Sequence, residues 1–182
     1  MNPGDGARTP GGLGATVGAR ACDPLAMHDN ARIIERFYAA FAARDGDGMA
    51  ACYRDDVTFT DPVFQNLSGD RAKSMWRMLT ARAADLTVEV SGIDADDATG
   101  RAHWEAHYTF SATGRRVHNV IDATFGFQAG AIKTHTDSFD LWRWSRMAIG
   151  PVGVLLGWSP WIQRAIRKKA IAGLDAWMKA HP

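Results

Sequence analysis

The stretch from residue 86 to residue 142 decides the fold, and it reads LTVEVSGIDADDATGRAHWEAHYTFSATGRRVHNVIDATFGFQAGAIKTHTDSFDLW. Apolar and polar residues alternate through much of it, which is the period of a β-strand with one buried face. Turn-forming residues interrupt the alternation at 94–97, 113–114 and 129–130. We therefore expect antiparallel strands joined by hairpins, at residues 86–93, 100–112, 115–128 and 131–142.

The residues before this meander carry helical spacing instead. Apolar side chains recur at three- and four-residue intervals. This spacing predicts helices at residues 28–44, 49–53 and 69–84. Residues 57–60 alternate as a short strand, which Asp61 and Pro62 end because proline cannot donate to a ladder. Helices followed by long strands predict an α+β domain in which a strongly curved antiparallel sheet wraps three N-terminal helices.

Length and composition indicate one globular domain with added segments. The chain has 182 residues, of which 46% are hydrophobic and 23% charged. Residues 1–27 hold six glycines, three prolines and no aromatic residue, so we expect a disordered tail there. The domain is predicted to span residues 28–142. A tryptophan-rich, basic helical extension is predicted over residues 143–182.

Cysteine content and hydropathy bear on the compartment. The two cysteines, Cys22 and Cys52, are too few for a disulfide framework or a thiolate metal site, which is typical of a reducing compartment. No continuous apolar segment lies between Arg8 and Arg20, as a secretory signal would require. Glycine and proline break the longest apolar run, residues 147–158, which is shorter than the roughly 20 residues that span a bilayer. We expect a cytoplasmic protein without a transmembrane helix.

The C-terminal extension carries most of the basic charge. Residues 143–182 hold seven lysines and arginines against one acidic residue. Ser159 and Pro160 predict the start of a helix that runs to about residue 179. Three interpretations stay open: a helix docked over the mouth of the domain, a dimer element, or a membrane-surface anchor through residues 159–179 that prefers anionic lipid. Packing against the domain or its partner is favoured, and nucleic-acid binding is not expected because the basic stretch is short.

Strand alternation also selects candidate site residues, since it separates the two faces of each strand. Trp104 and Tyr108 share an apolar face that should be buried. Asp122 lies in mid-strand with apolar residues on both sides, and His135 and Asp137 share one face of the last strand. The concave mouth between sheet and helices is where we expect a small-molecule site.

Each polar candidate has a structural alternative. Asp61 can form a turn by accepting hydrogen bonds from nearby backbone N–H groups. Asp122 can face outward and pair with Arg115 or Arg116. The histidine and aspartate of the last strand can be a purely structural pair.

His103 and His107 flank Glu105 on one face of a strand, a pattern that could hold a metal ion. Alternate positions on one strand lack a third convergent ligand. We therefore expect a solvated face, no metal and no cofactor.

Three segments resemble the nuclear transport factor 2-like superfamily, and more closely its SnoaL-like and ketosteroid isomerase-like branches. They are IERFYAAF at 34–41, RDDVTFTDPV at 54–63 and VID at 120–122. The resemblance covers roughly residues 29–142. It implies a cone of curved antiparallel sheet with three helices, often a homodimer, on a scaffold that carries enzymes, binders and transport factors alike.

The likeness to ketosteroid isomerase implies roles for particular residues. Asp61 falls where that enzyme has the general base that moves a proton beside a carbonyl, and Asp122 falls where it keeps a protonated carboxyl that donates to the developing oxyanion. Phe37 holds the position of its oxyanion-hole tyrosine and cannot donate a hydrogen bond, with Tyr38 one residue away. Tyr108 could take this role from elsewhere in the cone.

The last strand, TDSFDL at 136–141, is similar to that of limonene-1,2-epoxide hydrolase, which implies that Asp137 is a catalytic carboxylate. Trp104 and Ala106 stand where that enzyme has an arginine and a second aspartate, so epoxide hydrolysis is not expected. SnoaL-like polyketide cyclases also use acid and base groups in this cone. The pair His135 and Asp137 suits such chemistry.

The leading hypothesis is cofactor-independent acid/base catalysis, of isomerase or cyclase type, on a small apolar carbonyl compound. Asp61 would abstract the proton and Asp122 would donate one, because neighbouring buried carboxyls acquire different proton affinities. In a second version Asp137, steered by His135, activates water or relays the proton. The pocket is predicted to be lined by Phe37, Tyr38, Phe59, Trp104, Tyr108 and Phe139. The alternative is a non-catalytic ligand-binding or assembly module on the same cone.

Overall fold

The computed structural model describes residues 27–182, and the predicted tail lies outside this range except for Met27. The helices are α1 (Asp29–Ala42), α2 (Gly46–Ala51), α3 (Asp70–Arg82), α4 (Leu141–Ala148), α5 (Pro151–Leu156) and α6 (Pro160–Ala180). The strands are β1 (Tyr53–Thr60), β2 (Leu67–Ser68), β3 (Thr87–Ala95), β4 (Thr99–Phe110), β5 (Arg115–Gln128) and β6 (Ala131–Ser138). The predicted α+β class, with its C-terminal helix, is confirmed.

One six-stranded sheet holds the strands in the order β2-β1-β6-β5-β4-β3. Neighbouring strands are antiparallel except for β1 and β6, which run parallel. In this parallel pair Phe59 lies opposite His135, and Thr60 lies opposite Thr136. Because Asp61 directly follows β1, the register brings it to the same part of the sheet as the second half of β6.

The apolar stripe of α1 forms the centre of the core. Ile34, Phe37 and Phe41 are buried together with Trp104 of β4 and Phe125 of β5. Burial of each such side chain contributes about 1.5–3 kcal/mol. The stripe predicted from residue spacing is therefore the one that the sheet covers.

Tyr53, which was predicted to end the second helix, instead begins β1, which was expected only at residues 57–60. Two further boundaries differ because an aspartate caps a helix. Asp45 caps α2, which begins three residues earlier than expected. Asp140 accepts hydrogen bonds from the backbone N–H groups of Trp142 and Arg143, at 2.8 and 3.0 Å. As a result β6 ends at Ser138, and α4 replaces the end of the predicted strand.

The helices α4 and α5 form a close hairpin through small residues. A Cβ atom on Gly153 would lie 1.9 Å from the backbone oxygen of Ser145, and one on Gly157 would lie 2.0 Å from the Ser145 hydroxyl oxygen. Glycine is required at these positions because any Cβ would collide with α4.

The last helix, α6, turns back over the domain. Leu174 is fully buried in the main core, and Arg71 of α3 pairs with Asp175 of α6 at 2.8 Å. Within residues 27–182, none of the helices combines the length and the hydropathy needed to cross a bilayer.

The close packing of α4 and α5 leads to a prediction about stability. Gly153→Ala should lower the free energy of unfolding by about 1–3 kcal/mol, because the new methyl group overpacks the contact with Ser145. Gly173→Ala is the matched control in α6, where a Cβ would meet only Arg82 at 3.6 Å. This control should be neutral or stabilising by up to about 1 kcal/mol. Urea unfolding measures both, and equal effects of the two changes would contradict the close packing.

Candidate functional site

Asp122 does not lie in the cone, and the predicted placement is wrong. Its side chain is 80% exposed, and its carboxylate lies 2.8 Å from Nδ1 of His103, the directly opposite residue on β4. The alternation of β5 explains this position, since Ile121 and Ala123 on either side point into the core. The alternative of an outward-facing residue is therefore the correct one, with histidine as its partner instead of arginine.

A polar cluster covers the same outer face. Nε2 of His118 on β5 lies 2.5 Å from Oε2 of Glu105, whose pKa this hydrogen bond lowers. The hydrogen bond with Asp122 raises the pKa of His103 in the same way. The solvated face predicted for β4 is what the structure has, with His118 as a cross-strand neighbour that sequence spacing missed.

This cluster offers three ligand atoms of the kind that bind metal ions. Atoms of Glu105, His107 and His118 all lie within 4.8 Å of one another. The two imidazole rings, however, stack face to face, with centroids 4.0 Å apart and planes 10° apart. Nitrogen lone pairs lie in the ring plane, so two stacked rings do not converge on one ion. Stacking and the hydrogen bond account for this cluster.

Asp61 directly follows β1 and closes a turn. One of its oxygens, Oδ1, accepts hydrogen bonds from the backbone N–H groups of Val63, at 2.6 Å, and Phe64. The backbone N–H of Asp61 donates to the Phe64 carbonyl at 2.8 Å. The second carboxylate oxygen has no hydrogen-bond partner among residues 27–182. The role in the turn thus accounts for Oδ1 of Asp61, and Oδ2 is available to a ligand.

Burial raises the pKa of Asp61 to about 7. The hydrogen bond from Phe64 opposes this shift, while the charge of Asp137 adds to it. The backbone hydrogen bond from Val63 and the charge of Arg167 also favour the ionised form. A carboxyl in this state exchanges its proton near neutral pH.

A buried chain of hydrogen bonds connects Asp137 to the core. Nε2 of His135 lies 3.0 Å from Oδ1 of Asp137, and Nδ1 of His135 lies 2.6 Å from the Tyr53 hydroxyl. The indole N–H of Trp76 donates to Tyr53 Oη at 2.8 Å, and that of Trp104 donates to Asp137 Oδ1 at 3.3 Å. Every donor is satisfied when Tyr53 donates to Nδ1 and the Nε2–H of His135 donates to Asp137.

This network fixes one oxygen of Asp137 and leaves the other unpaired. The Asp137 side chain is only 3% exposed, and its Oδ2 has no hydrogen-bond partner among residues 27–182. Asp61 and Asp137 therefore each hold one oxygen in a defined hydrogen-bond pattern and keep a second oxygen without a protein partner.

The Tyr38 hydroxyl is fully buried and has no hydrogen-bond partner in the part of the chain that the structure describes. Burial raises the pKa of Tyr38 well above its ordinary value, and the charges of Asp137 and Tyr53 add to the effect. A buried, unsatisfied hydroxyl costs free energy. The unsatisfied Tyr38 hydroxyl therefore indicates a place where a ligand could bind, which residue spacing alone does not predict.

Most of the predicted pocket lining belongs to the packed core. Phe37, Tyr38, Phe59 and Trp104 are buried in the main core together with side chains of α3. Tyr108 and Phe139 are only half-buried and lie with Val63 at the edge of the core. We call Asp61, Val63, Tyr108 and Phe139 the mouth of the cone.

The C-terminal extension covers this mouth. The indole N–H of Trp144 on α4 donates to the Tyr108 hydroxyl oxygen at 2.8 Å, and Arg167 on α6 donates to the Pro62 carbonyl at 2.8 Å. Ile166 packs in the same cluster as the mouth residues. Burial raises the pKa of Tyr108, and the charge of Asp61 adds to it. Because Trp144 donates, the hydroxyl proton of Tyr108 is free for another acceptor.

Solved structures with the same architecture support the assignment of the fold. An LEH-like epoxide hydrolase of M. tuberculosis is 23% identical with a TM-score of 0.55, over 70% of this chain and 96% of that one. A proposed polyketide cyclase of Xanthomonas campestris is 19% identical with a TM-score of 0.56, over 66% and 96%. A protein of Catenulispora acidiphila with a ketosteroid isomerase-like fold is 13% identical with a TM-score of 0.57, over 65% and 93%. At these identities the likeness concerns the fold alone. A search of curated protein sequences found no match.

A curved sheet packed around three helices is the architecture of nuclear transport factor 2-like domains. The family model of the SnoaL-like domain matches residues 34–135, more than half of the chain. The chain belongs to the SnoaL-like domain family, and the resemblance seen in its sequence is confirmed.

Proposed function

We propose that this protein catalyses cofactor-independent proton transfer on a small apolar carbonyl compound, as an isomerase or a cyclase does. One observation carries the proposal: Asp61 and Asp137 lie at the same end of two parallel strands, and each has one carboxylate oxygen without a partner among residues 27–182. Structural neighbours described as a proposed polyketide cyclase and as ketosteroid isomerase-like favour the same chemistry.

Asp61 serves as the base in this mechanism. A pKa of about 7 leaves a large fraction of the carboxyl ionised at neutral pH and able to accept a proton from the carbon beside a carbonyl. The hydrogen bonds from Val63 and Phe64 hold Oδ1, so the partner-free Oδ2 takes the proton. The protonated carboxyl then returns the proton to another atom of the same substrate, which restores the base without a cofactor.

Tyr38 replaces Asp122 as the donor to the developing oxyanion. Its hydroxyl is buried and has no acceptor among residues 27–182, so a carbonyl oxygen of the substrate would satisfy it. Tyr108 is a second donor at the mouth, because Trp144 occupies its oxygen and leaves its proton free. Entry of a substrate requires the extension to move away from the mouth.

Proton exchange in heavy water tests this proposal without knowledge of the product. A panel of apolar ketones and lactones is incubated with the protein in D₂O, and loss of the α-proton signal is followed by NMR. We expect exchange of at least one compound with the wild type and with Asp122→Asn, whose exposed side chain is the control. Wild-type protein that exchanges no compound faster than buffer would contradict the proposal.

Tyr38→Phe separates stability from catalysis. Removal of the unsatisfied hydroxyl should leave the free energy of unfolding unchanged or raise it by up to about 1 kcal/mol. The exchange rate should fall by about 10²-fold, since an oxyanion donor is lost. Tyr53→Phe is the matched control, because it removes a hydroxyl bonded to Trp76 and His135 and should destabilise the fold. Unchanged exchange by Tyr38→Phe would exclude Tyr38 as the donor.

The alternative function is a non-catalytic ligand-binding or assembly module. The packed cone interior and the covered mouth favour it. Such a module should bind an apolar ligand equally well or better after Asp61→Asn, because a buried carboxyl opposes apolar ligands, and it should exchange no proton. Epoxide hydrolysis has less support, since Trp104 instead of an arginine donates to Asp137.

The proposed setting is the cytoplasm, and the proposed assembly is a homodimer. The first follows from the cysteine content and the second from the family resemblance. Cys52, the cysteine within residues 27–182, is free and buried.

A further inference from the structure

Large apolar side chains stand exposed along the segment from residue 142 to residue 161. Leu155, Trp158 and Trp161 are 70, 61 and 69% exposed. We call the full set the apolar patch: Trp142, Val152, Val154, Leu155, Leu156, Trp158 and Trp161. An exposed group of this size marks an interaction surface.

The patch is exposed because α5 packs with its small residues inward. Gly153 and Gly157 lie against Ser145 of α4, so the helix buries the side that carries no side chains. Val154 and Leu155 consequently point away from the domain. The exposed aliphatic side chains of α5 therefore contribute no burial free energy to the fold of the isolated protein.

Two hydrogen bonds connect tryptophans of the patch to α5. The indole N–H of Trp142 donates to the Val154 carbonyl at 3.4 Å, and that of Trp158 donates to the Leu155 carbonyl at 3.1 Å. Two tryptophans are thereby held beside the exposed face of α5, with their rings at the surface.

Basic side chains border the patch. The Arg146 guanidinium lies over the Trp142 ring, 4.8 Å from its centroid. Arg115 lines a groove of about 490 Å³ whose other walls include Val154 and Leu155. None of the basic residues at 115, 146, 164 and 168 has a carboxylate within 4.0 Å among residues 27–182. Helical spacing places the last two on the same face as Trp161.

We propose that the apolar patch binds the surface of an anionic lipid membrane. Tryptophans prefer the boundary between headgroups and acyl chains, where the aliphatic residues of α5 would be buried. Unpaired arginines and lysines beside them attract anionic headgroups. The charge argues against a second copy as the occupant, since a two-fold contact would oppose the same cations.

The proposed membrane contact lies partly outside residues 159–179, the segment predicted from the sequence. One side of α6 is occupied by α3, where Leu174 is buried and Arg71 pairs with Asp175. The membrane-facing part is therefore α5 and the start of α6, instead of residues 159–179 as a whole.

Vesicle sedimentation tests the proposal on the full chain. We expect the protein to sediment with vesicles of phosphatidylcholine and phosphatidylserine, and to bind phosphatidylcholine alone about tenfold more weakly or less. The triple variant Leu155→Ser, Trp158→Ala, Trp161→Ala should lose about tenfold or more in binding to the anionic vesicles. Val90→Ser is the control, since Val90 is exposed on β3 away from the patch.

A second variant tests the basic residues that border the apolar patch. Arg146→Gln with Arg164→Gln should weaken binding to the anionic vesicles and make it less sensitive to salt. Exposed Arg101 on β4 provides the control, Arg101→Gln. Circular dichroism checks whether the triple variant folds. If it does not, the charge variants at exposed positions still test the proposal.

Three results would overturn the proposal. The first is wild-type protein that does not sediment with anionic vesicles. The second is a folded triple variant that binds them as tightly as the wild type. The third is a dimer, seen by sedimentation velocity without lipid, that the triple variant converts to a monomer, because the patch would then be a contact between two copies.

Discussion

Asp61→Asn is expected to stabilise the fold above neutral pH and to slow proton transfer, for which Asp61 is the proposed base. In the folded chain the pKa of Asp61 is about 7, against an ordinary value of 3.8. Between these values the unfolded chain is ionised while the folded chain keeps the proton, so wild-type stability falls as pH rises through this range. The penalty is complete above about pH 7 and amounts to about 2–4 kcal/mol, which the asparagine variant does not carry.

The same change should lower the rate of α-proton exchange by about 10²-fold or more, because the base is lost. Asparagine keeps an oxygen that can accept from Val63 and Phe64, so the turn itself should persist. Urea unfolding at about pH 5 and about pH 8 measures the stability effect. Wild type and variant with parallel pH profiles, or a variant with full exchange activity, would refute the role of Asp61. Asp122→Asn supplies the exposed-carboxyl comparison in both assays.

The largest loss of stability is expected from His135→Leu. The change removes both hydrogen bonds of the buried imidazole, leaving Asp137 with Trp104 as its donor and the Tyr53 hydroxyl without an acceptor. It also removes an aromatic contact with Phe125, whose ring centroid lies 4.3 Å away. The free energy of unfolding should fall by about 3–5 kcal/mol, because a buried carboxylate loses its partner.

His103→Leu is the matched control for this variant. His103 also contacts an aspartate, yet it lies on the exposed outer face, and its replacement should cost no more than about 0.5 kcal/mol. Adding Asp137→Asn to His135→Leu should recover part of the loss, since the unpaired charge is gone. Equal losses from the two histidine variants would show that the buried network does not stabilise the fold.

Local sequence patterns were sufficient for the fold but not for all of the site. The alternation of β5 places Ile121, Ala123 and Phe125 on one wholly apolar face, and this face is buried. The same alternation puts Asp122 outside, although its mid-strand position between apolar residues and the family resemblance both suggested a place in the pocket. Where the periodicity and the resemblance disagreed, the burial of apolar surface decided the outcome.

The remaining site features depend on contacts that no short segment encodes. Tyr53 joins the network through the parallel pairing of β1 with β6, and no local spacing indicates that pairing. Tyr38 was predicted to line the pocket, but its role as a donor rests on the missing acceptor for its hydroxyl among residues 27–182. Both follow from long-range packing, whereas Asp61 could be found from its own turn.

The parallel contact between β1 and β6 also bears on the order of folding. Tyr53 and His135 are 82 residues apart, and the loop between them includes most of the sheet. Closing such a loop costs chain entropy that only later contacts offset, so pairings of this kind tend to form late. Asp61 and Asp137 come together only through this step. The proposed proton-transfer site should thus be absent from folding intermediates and from truncated chains that lack the last strand.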